Sequence, residues 1–222
     1  MLYALGDPVS LLLLLVGFVL AVTVHGWVQN LVAARVGSTR GAALERTGAD
    51  PRRHLDPFGA VAAAIAGIGW AKPVEPPDRR DRSAVLRVLL SGAVANLVVG
   101  GALLVGYRLA GGPPVDGSSA LLQYGIEGEL TLRVLLLLGL SSVFVGALSL
   151  VPLPPMDGGR LLFALAPTTP GWQKAQYQLD ERGIGIAVLL ALLIIPLGGP
   201  QALLPVVLDS LVVPLVSLVT GG

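Results

Sequence analysis

Three side chains that could bind a metal ion or transfer a proton lie in strongly apolar parts of the chain. His25 and Gln29 belong to "VTVHGWVQNLVA" (residues 22–33), and Asp157 belongs to "SLVPLPPMDGGRLL" (residues 149–162). Residues four apart share one face of an α-helix, so His25 and Gln29 are predicted to point in the same direction. Imidazole and carboxylate groups are common zinc ligands and proton carriers, which makes His25 and Asp157 candidates for a metal or catalytic site.

Each of these residues also has a structural interpretation. A histidine or glutamine in a membrane helix can simply hydrogen-bond to a neighbouring helix, and Asp157 suits the start of a helix. A helix cap does not explain Pro152, Pro154 and Pro155, which predict extended or broken backbone just before Asp157. Such backbone persists at membrane depth only where it is buried in protein or lines a wet cavity, which favours a functional site.

The composition predicts an integral membrane protein. Of the 222 residues, 54% are hydrophobic and 13% are charged, and the mean hydropathy is +0.77, whereas soluble domains average about 25% charged residues. The net charge of +1 does not indicate a nucleic-acid partner, and we predict none. Because the chain has no cysteine, disulfides, thiolate ligands and a cysteine nucleophile are excluded.

The apolar segments predict an all-α polytopic membrane protein with one domain, residues 1–222. Crossing a bilayer takes about 20 apolar residues. A core over residues 9–162 has three such spans, and residues 183–221 supply one or two more, because proline and glycine interrupt them at residues 196–200. Residues 58–69 are apolar but too short to cross, and are predicted to be re-entrant or interfacial. The core spans are predicted at residues 9–34, 84–110 and 132–153.

Basic residues predict the orientation. Nine of the 15 lysines and arginines lie in residues 35–82 and none in residues 111–131. Because short cytoplasmic loops are enriched in these residues, the first loop is predicted to be cytoplasmic and the N-terminus outside. His25 and Asp157 then lie at a similar depth, toward the cytoplasmic face. The 13 arginines against two lysines favour a GC-rich bacterial source and hence the plasma membrane.

The motifs resemble those of the site-2 protease family, intramembrane zinc metalloproteases that cut substrate helices within the bilayer. That family has H-E-x-x-H on one helix and takes its third metal ligand from a later N-x-x-P-x-x-x-x-D-G segment. "SLVPLPPMDG" matches the second motif at Pro, Asp and Gly, with Ser149 in place of Asn. "HLDPFG" (residues 54–59), "GWAKPV" (69–74) and "SGAVANL" (91–97) resemble further family segments in the expected order. The resemblance implies the family's three-span core, with a small extended segment in the first loop.

The departures from the family pattern fall on the residues that would do the chemistry. Gly26 stands where the family has its general-base Glu, and Gln29 stands where it has the second His. Glycine cannot take a proton from a metal-bound water, and an amide oxygen is a poor zinc ligand. His25 and Asp157 remain as a partial or vestigial ligand pair, whereas catalytic zinc usually has three protein ligands. Zinc is thus a doubtful cofactor, and we do not expect His54, the other histidine, to ligate it.

The segments that would bind a substrate match the family pattern better than the residues at the metal-ligand and general-base positions do. The resemblance implies that "GWAKPV" borders the cleft, where an extended strand pairs with an unwound substrate. Trp70, Lys72 and Pro73 are therefore candidate substrate-binding residues, together with Asn96 and Ser149 from the other matching segments. The alternatives are an interfacial loop anchored by Trp70 and Lys72, and a helix-to-helix hydrogen bond for Asn96.

Three functions fit these observations. The one we favour is a pseudoprotease, which has the family fold and binds or regulates a transmembrane protein client without cleaving it. The second is an active intramembrane zinc metalloprotease with an unexpected third ligand. The third is a small transporter or channel component in which His25, Gln29 and Asp157 line a polar path, but the chain lacks the internal repeats usual in transporters.

Overall fold

A computed structural model describes residues 1–36, 47–75, 81–196 and 201–221, and these ranges are largely helical. Four of the helices are long and apolar enough to cross a membrane, namely α1, α3, α5 and α9, which confirms the prediction of an all-α polytopic membrane protein. The helices are α1 (Pro8–Arg35), α2 (Pro57–Ala66), α3 (Arg82–Leu109), α4 (Ala120–Tyr124), α5 (Leu130–Ser149), α6 (Asp157–Leu165), α7 (Pro170–Gln176), α8 (Ile184–Ile194) and α9 (Leu203–Thr220).

Aspartates fix where three of the helices begin. Asp7 before α1, Asp56 before α2 and Asp81 before α3 each accept a hydrogen bond from a backbone N–H of the first turn. A carboxylate at this position satisfies amide groups that have no partner within the helix. At α3, the hydrogen bond from the Ala84 amide holds the pKa of Asp81 below its usual value. These caps place the start of two membrane helices at the ends of their apolar runs.

The helices α1, α3 and α5 pack mainly against one another and form the core of the molecule. Glycines let these helices approach closely, as small residues do in membrane proteins. A Cβ atom at Gly17 of α1 would lie 2.7 Å from Oγ of Ser141 in α5, and one at Gly100 of α3 would lie 2.8 Å from the Gly139 carbonyl. Larger side chains at these positions would push the three helices apart.

The first loop folds back into the molecule. The short helix α2 buries Ala62, Ala63 and Ala66 in the core, and it ends at Gly67, which adopts the left-handed conformation with φ of 80°. The chain then returns beside its own start, where Leu55 and Ala71 form one antiparallel bridge. The sequence predicts a small extended segment in the first loop. Within the described ranges, this bridge is the only β pairing of that segment.

The C-terminal half departs from the predicted bounds at its prolines. α5 ends at Ser149 instead of residue 153, because Pro152 and the two prolines after it cannot continue a helix. The predicted interruption falls between α8 and α9, and residues 197–200 lie outside the described residues. α8 has 11 residues and is too short to cross a bilayer alone, whereas α9 has 18.

Candidate functional site

The structure brings His25 and Asp157 into direct contact, although they lie 132 residues apart in the chain. Nε2 of His25 is 2.8 Å from Oδ2 of Asp157, and the two residues are 3% and 5% exposed. The similar depth predicted for them therefore holds within the molecule. Asp157 is the first residue of α6, but its carboxylate reaches His25 and makes no helix cap. The structural interpretation of Asp157 as a cap is therefore wrong.

A chain of hydrogen bonds extends from this pair into the helix core. Nδ2 of Asn96 in α3 lies 3.3 Å from Nδ1 of His25, and Oγ of Ser142 in α5 lies 3.3 Å from Oδ1 of the same asparagine. With the Asn96 amide donating to Nδ1, the proton of the neutral imidazole is on Nε2 and is donated to Asp157. Asn96 thus makes the helix-to-helix bond predicted as its alternative role, and it also orients His25.

The backbone of α3 leaves room for the His25 ring. A Cβ atom at Gly92 would lie 2.6 Å from Nε2 of His25, closer than side-chain carbons approach in folded proteins. Gly92 comes from the "SGAVANL" stretch, four residues before Asn96. One turn of α3 therefore supplies both the space for the imidazole and the amide that orients it.

Gln29 and Ser149 line the same site but satisfy other groups. Nε2 of Gln29 lies 3.4 Å from the Leu89 carbonyl, a weak hydrogen bond, and the Ser149 hydroxyl donates to the Gly146 carbonyl of its own helix at 2.7 Å. Both residues border a cavity of about 10 Å³ beside His25 and Asp157. Such a cavity has room for about one water molecule.

The candidate residues of the first loop occupy different environments. Trp70 is only 2% exposed and borders the cavity, so the alternative in which it anchors an interfacial loop is wrong. Its buried indole N–H has no partner among the described residues. Lys72 is exposed and Pro73 is partly exposed, and both also border the cavity. These two residues connect the buried site with the surface.

His54 lies directly against Gly26. A Cβ atom at Gly26 would lie 2.5 Å from Nδ1 of His54 and 3.2 Å from its Cβ. His54 is 1% exposed, and its Nε2 lies 2.9 Å from the Gly48 carbonyl. The imidazole thus fills the space into which a side chain at residue 26 would project. The sequence alone does not indicate this contact, because it depends on how the first loop folds back.

The donor set around His25 does not fit a catalytic zinc ion. Catalytic zinc usually has three protein ligands from His, Asp, Glu or Cys. Among the described residues that line this cavity, His25 and Asp157 are the two side chains of these types, and Gln29 offers only an amide. Among the described residues, no group of three or more His, Cys, Asp and Glu side chains could hold a metal ion.

Comparison with known proteins identifies the family. Over 200 residues the chain is 32% identical to the "Putative zinc metalloprotease YwhC" of Bacillus subtilis, and the alignment covers 86% of this chain and 85% of that relative. The chain belongs to the site-2 protease family. No family model and no solved structure matches the chain. The relative's name describes a zinc metalloprotease, whereas this member of the site-2 protease family has Gly26 and Gln29 in the stretch that we compared above with the H-E-x-x-H pattern.

One candidate residue was missed by the sequence analysis. Asp209 lies in the N-terminal half of α9 and is the single charged residue of that helix. Its carboxylate accepts hydrogen bonds from the backbone N–H and the hydroxyl of Ser119, at 2.7 and 2.8 Å. A lone carboxylate inside the last apolar run is the signal that could have found it, since ionisable residues in membrane spans are rare and commonly functional.

Proposed function

We propose that this chain is a pseudoprotease of the site-2 protease family, which binds or regulates a transmembrane protein client without cleaving it. The set of side chains around His25 and Asp157 carries the proposal, because the described residues that line this cavity offer no third His, Asp, Glu or Cys. Gly26 has no group to act as a general base, which alone removes a contribution of about 10²- to 10⁴-fold to the rate. The site retains a polar, closely packed interior without the groups for hydrolysis.

The surface beside the cavity is where we propose that a client binds. Lys72 and Pro73 reach the surface beside the buried cavity, and the carbonyl of Val74 accepts a hydrogen bond from Arg160 of α6 at 2.8 Å. Arg160 thereby ties this stretch to the helix that carries Asp157. We place the client along residues 71–75, with Trp70 beneath them as a buried support.

A second candidate function, proteolysis with an unusual ligand or base, is favoured by one observation. His54 brings a titratable ring to the position of the missing glutamate side chain, beside the helix turn that carries His25. An imidazole is the commonest general base in enzymes. In this alternative His54 replaces the base, and cleavage would depend on it.

Cleavage in proteoliposomes tests the proposal. We expect the wild-type protein to release no more product from a single-span helical substrate than an Asp157→Ala variant does, because neither has a base or a complete ligand set. An active member of the family, reconstituted with the same substrate, controls for the assay. Product above the Asp157→Ala level would contradict the proposal, and its loss in a His54→Ala variant would establish the second candidate.

A further inference from the structure

A second cavity, of about 350 Å³, shares no lining residue with the His25 and Asp157 site. It lies between the N-terminal turn, the end of α2, α4, the end of α8 and the start of α9. Its volume falls within the range of sites for small organic ligands, about 300–1,000 Å³. Its polar and aromatic lining residues include Tyr3, Ser119, Gln123, Tyr124, Gln201 and Asp209.

Asp209 gives this cavity a negative charge that its neighbours do not neutralise. The two hydrogen bonds from Ser119 come from an amide and a hydroxyl, which are neutral groups. Among the described residues, no lysine or arginine lines the cavity and no ion pair includes Asp209. A carboxylate has about four acceptor positions, so about two remain for a ligand. Holding an unneutralised carboxylate within a span is costly, and a bound cation would offset that cost.

The other lining residues suit a cation that is organic. The rings of Tyr3 and Tyr124 lie with their centroids 5.2 Å apart and are 61% and 58% exposed. Aromatic faces attract ammonium groups, and the amide oxygens of Gln123 and Gln201 can accept hydrogen bonds from an N–H donor. The cavity is also much larger than a single metal ion needs.

We propose that this cavity binds a primary ammonium group, with Asp209 as its counter-ion and the two tyrosines beside it. The ammonium is carried either by a phosphatidylethanolamine headgroup or by a small soluble amine. A primary ammonium can donate hydrogen bonds to Asp209, whereas a quaternary ammonium has no N–H to donate. The site is independent of the proposed client-binding function, since it shares no residue with residues 71–75.

The test compares two sources of ammonium with the full chain in nanodiscs. Native mass spectrometry measures whether the protein retains phosphatidylethanolamine in preference to phosphatidylcholine, and calorimetry measures binding of ethanolamine. We expect Asp209→Asn, which keeps acceptor and shape but removes the charge, to weaken binding by about tenfold or more. Glu127→Gln is the matched control, because Glu127 is exposed and does not line the cavity, and it should leave binding unchanged.

Each outcome decides the proposal. Selective retention of phosphatidylethanolamine that Asp209→Asn abolishes identifies the lipid, and ethanolamine binding without lipid selectivity identifies a soluble amine. Binding of neither probe, or binding that Asp209→Asn leaves unchanged, overturns the site. If Asp209→Asn does not fold, Tyr124→Ala decides instead, since its ring is exposed. The loss of one cation–π contact should weaken binding about threefold, and no change would again overturn the proposal.

Discussion

Replacing Asp157 by alanine is expected to lower the free energy of unfolding by about 2–3 kcal/mol, because the buried Nε2–H of His25 loses its acceptor. For a chain of this size, that loss corresponds to a fall in Tm of roughly 5–10 °C. Asp157→Asn keeps an oxygen that can accept the same proton, so it should cost only about 1 kcal/mol. Thermal unfolding of the detergent-solubilised variants measures both values.

The control for this prediction is Asp180→Ala. Asp180 pairs with Arg160 at 3.4 Å, and its side chain is 22% exposed. Partly exposed ion pairs contribute about 0–1 kcal/mol, so this variant should change the Tm little. If Asp157→Ala and Asp180→Ala lower the Tm equally, the His25–Asp157 contact does not stabilise the fold, and the role we give it is wrong.

Adding a methyl group at residue 26 is expected to destabilise the protein through His54. In Gly26→Ala the new Cβ would lie 2.5 Å from Nδ1 of His54, and overpacking of this kind costs about 1–3 kcal/mol. In a His54→Ala background the ring is gone and the same change should cost much less. A double-mutant cycle on the free energy of unfolding measures the coupling, which we expect to exceed about 1 kcal/mol.

Gly101→Ala is the control for Gly26→Ala. Gly101 lies inside α3, and nothing is within 4 Å of the position of its Cβ, so alanine there should stabilise the helix by about 0.5–1 kcal/mol. Equal costs of Gly26→Ala with and without His54 would show that the ring does not occupy this space.

The contact between Gly26 and His54 also affects any attempt to restore the family motif, because Gly26→Glu with Gln29→His rebuilds that motif only if His54 moves away first.

The membrane helices could be predicted from the sequence because their signal is local. An apolar run and its capping aspartate define α1, and the prolines after Ser149 end α5 earlier than hydropathy alone suggests. The proximity of His25 and Asp157 could also be predicted from the sequence, since the predicted topology puts both residues at one depth. Their direct bond then follows from helix packing.

The remaining features depend on three-dimensional contacts that sequence patterns do not encode. The position of His54 against Gly26 results from the first loop folding back along α1. Trp70 has the amphipathic character of an interfacial residue, yet the return of the chain after Gly67 buries it. The sequence does not predict a binding site at Asp209, because Ser119 and the two tyrosines come together around its carboxylate only in the folded structure.

The zinc content of the purified protein tests the pseudoprotease proposal most directly. Expression with added zinc, followed by metal analysis per chain, should give far less than one zinc per wild-type chain. His25→Ala should leave that low value unchanged, because His25 and Asp157 alone are too few ligands to hold zinc stoichiometrically. One zinc per wild-type chain, lost in His25→Ala, would contradict the proposal and show that this site holds a metal ion with a third ligand.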